Sequence, residues 1–152
     1  MKAKEYLRQV MKLDKMITSR ELQCEEIRNR LEGVTAITYD KPSVQSSVGG
    51  DNINLYDALI AKENEIRAII LDCEQTRDEI VTAIYMLDNI QYSALLIKRY
   101  LEYDKDSFRE KRFEQIAVEM GYSYDRVVHM HGEALKEMQK LINKNKKQVS
   151  IQ

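Results

Sequence analysis

His129 and His131 stand two residues apart, shortly after an Asp125–Arg126 pair, and are the first side chains in this chain that could do chemistry. Imidazoles bind zinc or move protons near neutral pH. On a helix, however, side chains two residues apart point about 200° away from each other, so these two cannot share a metal. Cys24 and Cys73 are far apart in sequence and lack CxxC spacing, which reads as two reduced thiols rather than a metal or redox pair. No glycine-rich phosphate loop, nucleophile elbow or HExxH motif occurs. The carboxylates fall on charged helix faces, with no two paired in an apolar setting. The expectation is a protein that is not an enzyme and needs no cofactor or metal.

The same histidines lie in FEQIAVEMGYSYDRVVHMHGEALKEM, residues 113–138, which reads as a short helix, a glycine turn and a longer helix. Counted from Phe113, apolar residues occupy positions 4 (Ile116), 8 (Met120), 10 (Tyr122), 15 (Val127) and 18 (Met130). Ala117 is small where the two helices must approach, and Gly121 can take the positive φ of the turn. That is the pattern of a helix-turn-helix. Ser123 is placed to cap the second helix, which leaves Tyr124, Asp125, Val128 and His129 facing outward near its start. Asp125 suits a cytosine amino group and Val128 a thymine methyl. Arg126, Lys136 and the lysines at 140, 144, 146 and 147 suit phosphates, which give affinity without sequence information.

SYDRVVHMHGEALKEM resembles the recognition helix of bacterial sigma factor region 4. Ser123 matches the cap, Asp125 and Arg126 an acidic–arginine pair, and Val127 and Met130 the inward apolar positions. Ala134, Leu135 and Met138 match the trailing core positions, and LLIKRYL (95–101) resembles the preceding helix. The likeness covers residues 88–141. Together with a long helical N-terminal half, it is similar to small phage- and prophage-encoded regulators of the late-transcription activator type. The resemblance implies action at a promoter or operator, with RNA polymerase as a possible contact. It departs at Tyr124 and Val128, where the sigma helix carries arginines, each guanine contact being worth about 1–3 kcal/mol. Their loss implies a different target sequence or help from a second subunit.

Several elements must position this corner. Residues 4–32 carry apolar side chains at alternating steps of four and three: Tyr6, Val10, Leu13, Ile17, then Cys24, Ile27 and Leu31, broken at Arg20. Gly33 reads as the stop. Residues 34–52, with Pro42 and Gly49-Gly50, read as a loop, and Asp51 or Asn52 as the next cap. The seam returns over 53–87 at Leu55, Leu59, Ile66, Ile69, Cys73, Ile80, Ala83 and Leu87. The predicted fold is therefore all-α. Residues 1–87 form a long antiparallel, coiled-coil-like hairpin for oligomerisation or partner docking, in a register that sets residue 24 near 62. Residues 88–142 form a three-helix, sigma region 4-like DNA-binding module. Ser107 and Glu110 have capping-box spacing, which predicts a helix from Phe108 to Met120. Residues 143–152 read as a basic, flexible tail.

Met11, Met16, Leu22, Ile60, Ile70, Leu71, Ile84 and Tyr85 widen the apolar stripe beyond one seam, which points to a homodimer or to docking on the C-terminal module. The net charge of −1 hides an asymmetry. Residues 98–152 hold 12 Lys+Arg against 9 Asp+Glu, whereas residues 1–97 hold 12 against 16. The basic half suits double-stranded DNA. No run approaches a membrane span and no signal peptide is evident, so no membrane partner and a cytoplasmic location are expected. Two other readings stay open: a DNA-packaging component similar to phage small terminase subunits, and a protein that binds RNA polymerase without gripping DNA.

Overall fold

The computed structural model describes the backbone of residues 1–40 and 46–151 and the side chains of residues 1–33 and 54–150. The fold is all-α. Helix α1 spans Ala3–Asp40 and α2 spans Ser46–Tyr85. Helix α3 (Ile90–Leu96) runs on into a π-helical turn, Ile97–Leu101. Helices α4 (Phe113–Met120) and α5 (Tyr124–Ile151) complete the chain. Among the described residues the only bridge between extended segments joins Asp104 to Arg109. No described helix is long and apolar enough to cross a membrane.

The chain divides into two compact units: Met1–Leu13 with Thr76–Gln152, and Asp14–Gln75. In the second, α1 and α2 run antiparallel, with Arg28 Nε 3.2 Å from Glu63 and Arg67 near Cys24. Cys24, Ile27, Leu59 and Ile66 are buried together there, with Leu31 and Ile70 packed on them. Residue 24 thus sits beside 67 rather than 62. The helix ends also differ from expectation. Gly33 does not stop α1, which runs on to Asp40, and α2 already begins at Ser46, so the expected loop over 34–52 shrinks from both sides. Asp51 and Asn52 are inside α2 rather than at its cap. Pro42 lies outside the described residues. Helix propensity is a weak prior, and a long run of Glu, Arg, Leu and Ile carries the helix through a β-branched stretch that would not form one alone. Leu55, expected on the seam, is 48% exposed.

The other unit holds the larger core. Ala3, Leu7 and Val10 of α1, Ile80, Ala83 and Ile84 of α2, Leu96 and Tyr100, and Ala134, Met138 and Ile142 of α5 are buried together. Leu7 is fully buried and Tyr6 only partly, because this end of α1 is packed on more than one partner and needs a wider apolar stripe than a two-helix seam. Gln139 on α5 clamps the chain start, accepting from the Ala3 N–H at 2.7 Å and donating to the Met1 carbonyl at 3.2 Å. It thereby serves as a cap for α1 supplied from the far end of the chain. Asn89 caps α3 by accepting from the Gln91 N–H at 2.9 Å. The buried Ser93 hydroxyl donates to the Ile84 carbonyl at 2.8 Å, tying α3 to the last turn of α2.

Two further expectations change. Helix α4 begins at Phe113, not Phe108, and residues 102–112 form an irregular segment. The Ser107–Glu110 capping box fails because Glu110 is taken by two guanidinium groups, those of Arg8 and Arg99. Ser107 instead donates its hydroxyl to Asp104 at 2.8 Å. The expected tail from 143 is helical through Ile151, since α5 continues without a breaker and its last turns are solvated.

Candidate nucleic-acid interface

The corner between α4 and α5 is built by local chemistry. Gly121 adopts φ 72 and ψ 30, which a residue with a Cβ reaches only at a cost. The Tyr122 N–H then reaches back to the Ala117 carbonyl at 3.0 Å, and the Gly121 N–H to Val118 at 3.3 Å, closing the end of α4. Ser123 Oγ accepts from the Arg126 N–H at 3.2 Å, and this opens α5. Ile116, Ala117, Val127 and Met130 are buried with Leu95 from α3, while Phe113, Met120 and Tyr122 pack around them. The apolar positions of the motif therefore face inward as their spacing predicts.

A substitution pair isolates the turn. An added Cβ meets nothing within 4 Å at either Gly121 or Gly132, so only the backbone distinguishes the two sites. Gly121→Ala is expected to cost about 1–2 kcal/mol through its left-handed conformation. Gly132→Ala, inside α5, should gain up to about 1 kcal/mol. Denaturant midpoints of the two variants check this, and equal shifts would refute it.

The outward residues of α5 do not form one patch. Asp125, His129 and Lys136 recur close to one face, running over about 16 Å of helix, with Val128 beside them. All four are exposed. Tyr124, 49% exposed, lies on a flank, its ring edge-on to Phe113 at 6.4 Å. Arg126 lies on the opposite flank, stacked over the Tyr122 ring at 4.0 Å. Ser123 is exposed, but its hydroxyl is engaged as the cap. Lys136 pairs with Glu133 at 3.3 Å and Lys140 with Glu137 at 3.0 Å. Such exposed pairs are worth about 0–1 kcal/mol, so both lysines remain available to a polyanion.

His131 belongs to the interior. It is 8% exposed, and its Nε2 lies 2.9 Å from the Tyr100 hydroxyl, with the Phe113 ring 5.0 Å away edge-on. Burial, helped by the positive charge of Arg99, pushes its pKa down to about 4. Burial and the charge of Glu110 push Tyr100 up to about 12. Both groups are neutral at physiological pH, and in the tautomer with the proton on Nδ1 the Nε2 accepts a hydrogen bond from the phenol. Arg99 lies over Phe113 at 4.0 Å and joins Glu110 at 3.3 Å. Among the described residues no three His, Cys, Asp or Glu side chains are grouped to hold a metal ion. Both cysteines are free and buried. No family model matches the chain, and neither does any curated protein or solved structure.

Sequence reasoning passed over the cations of residues 109–112, REKR, because the capping-box reading placed them on a helix. Their run of charge was a signal that went unused. Gln139 and the Tyr100–His131 pair had no local signal, since each joins segments far apart in the chain.

Proposed function

We propose that this protein is a sequence-specific DNA-binding transcription regulator that lays the start of α5 in the major groove. One observation carries the reading. The helix–turn–helix corner buries its apolar positions and leaves Asp125, Val128 and His129 exposed together at the start of the second helix. That is where such corners present base-reading side chains. Asp125 and Val128 supply base contacts, with His129 and Tyr124 beside them, and Arg126, Lys136 and Lys140 hold phosphates. The likeness to sigma factor region 4 supports action at a promoter, with RNA polymerase as a further partner, in a phage or prophage setting. Met16, Leu22, Leu55, Tyr56 and Leu71 are 40–58% exposed in the Asp14–Gln75 unit, and that apolar surface suits a homodimer.

The test requires the whole chain. A fragment beginning at residue 88 would lose Ala3, Leu7, Val10, Ile80 and Ile84, which share one core with α5. Titrated against duplex DNA at about 50 and about 200 mM salt, the full chain should bind with log K falling by about 0.9 per phosphate contact for each tenfold rise in salt. Four to six contacts give a loss of about a hundredfold to a thousandfold over that range. Lys136→Ala should lower affinity on all sequences and reduce the slope by about 1. Asp125→Ala should instead change which sequences are selected from a random duplex pool. Absence of duplex binding at the lower salt would overturn the reading.

A further inference from the structure

A cleft of about 670 Å³ opens in the unit built from Met1–Leu13 and Thr76–Gln152, walled by the first turns of α1, the π-helical turn and residues 104–112. Its lining carries five cations (Arg8, Arg99, Arg109, Lys111 and Arg112) against two carboxylates, Asp104 and Glu110. The carboxylates are already committed. Glu110 is held between Arg8 and Arg99, and Asp104 accepts from the Ser107 hydroxyl and the Asp106 N–H. Lys111 is held by Glu102 and Glu119, each at 3.1 Å. Arg109 and Arg112 form no ion pair or side-chain hydrogen bond among the described residues. Two exposed guanidinium groups are thus left over at one cleft, where clustered positive charge raises the local concentration of anions.

Two independent features point the same way. Arg99 lines the cleft with a buried Nε–H that has no acceptor among the described residues, although its other nitrogens are engaged. Buried donors are nearly always satisfied, so an orphan of this kind asks for an explanation. The N-terminus of α4 also meets the cleft: Arg112 is its capping residue, makes no side-chain cap, and Gln115 of the first turn lies in the lining. Uncapped N–H groups and the helix dipole favour an anion there. On the wall stands Phe108, 40% exposed and held at φ 52, its ring stacked on Tyr103 at 6.1 Å between centroids. Left-handed backbone at a bulky residue is rare, and strain of this sort gathers at ligand sites. An exposed ring beside guanidinium groups is a platform on which a nucleobase can stack.

We propose that this cleft binds a nucleotide, with Arg109 and Arg112 on its phosphate and Phe108 against its base. The volume is in the range of small-ligand sites, about 300–1,000 Å³, and is larger than a lone phosphate needs. The nucleotide is either free in solution or part of a nucleic-acid strand, and the shared chemistry is the same. The proposal does not rest on the DNA reading, because no outward residue of α5 lines the cleft.

Calorimetric titration of the full chain at constant ionic strength tests it, with ADP, inorganic pyrophosphate and adenosine as probes. ADP and pyrophosphate should bind, and adenosine at least tenfold more weakly than ADP. Arg109→Gln with Arg112→Gln should weaken both phosphate-bearing probes tenfold or more with an unchanged melting temperature, since neither side chain holds a partner among the described residues. Phe108→Gly, which removes the ring and relieves the backbone, should weaken ADP several-fold and leave pyrophosphate unchanged. Met86→Ala, at an exposed position outside the cleft, should bind ADP as the wild type does. Competition by duplex DNA or a 5′-phosphorylated single strand would assign the site to a strand, and its absence to a free nucleotide. The proposal fails if neither phosphate-bearing probe binds, or if the double arginine variant binds ADP as tightly as the wild type.

Discussion

Ile84→Glu should unfold the unit made of Met1–Leu13 and Thr76–Gln152. The side chain is fully buried, in one cluster with Leu7, Leu96, Tyr100 and Met138. Removing a buried isoleucine forfeits about 2–5 kcal/mol. An unpaired carboxylate in that space adds several kcal/mol more, or must take up a proton. The total exceeds about 4 kcal/mol, a large part of the roughly 5–15 kcal/mol that holds a domain of this size together. Sequence periodicity placed Ile84 with Ile70 on a stripe open either to a second copy of the chain or to the C-terminal module. For Ile84 it is the latter, because α5 and the π-helical turn cover it. Ile70 is half-buried against the core of the other unit, so Ile70→Glu should cost less, about 1–2 kcal/mol. Circular dichroism melts of the two variants separate the cases. An Ile84→Glu protein that melts with the wild type would show that the cluster contributes little.

The contrast between these isoleucines shows where the sequence was readable. Ile116, Ala117, Gly121, Val127 and Met130 fell where their spacing put them, because a helix–glycine–helix corner is decided within about twenty residues by periodicity and one backbone conformation. What depended on partners remote in sequence was not readable. The pairing of residue 24 followed an assumed loop centre, whereas the packing of Cys24, Ile27, Leu59 and Ile66 against one another sets the register, which puts 24 beside 67. Ser107 and Glu110 matched a capping box in sequence, but Arg8, about a hundred residues away, captured the glutamate. Helix geometry put His129 and His131 on opposite faces, but what His131 meets inside, the Tyr100 hydroxyl and the Phe113 ring, comes from segments that the local pattern does not reveal. The candidate interface was legible because its exposed residues are those left after the inward positions are assigned. The nucleotide cleft was not, because its cations come from α1, the π-helical turn and an irregular segment.

Acid should destabilise the protein in two steps, and His131 sets the first. The groups facing its ring are the Tyr100 hydroxyl, Phe113, the cations Arg99, Lys4 and Arg8, and the Glu110 carboxylate. Burial and then the nearby cations depress its folded pKa from 6.5 to about 4. Between those values the unfolded chain takes up a proton that the folded one refuses, so stability falls as pH falls through that window and levels off near the lower value. The full shift corresponds to about 3 kcal/mol, and solvent reaching the ring brings the loss at about pH 4.5 to about 2 kcal/mol. The second step includes Glu110, the most buried of the carboxylates held low, alongside Glu63, Asp104 and Glu119. Burial would raise the pKa of Glu110, but the hydrogen bond from Arg8 and the charges of Arg8 and Arg99 outweigh burial and hold it below 4.5. Its contribution is present above the unfolded value and disappears as pH falls through the lower folded one. Denaturant midpoints of the wild type should therefore decline from about pH 6.5 downward, where carboxylates are still silent. In His131→Gln, whose amide can still meet the Tyr100 hydroxyl, that first decline should vanish while the loss below pH 4.5 persists. A His131→Gln protein with the wild-type slope between pH 6.5 and 4.5 would show that this imidazole is not the group that titrates.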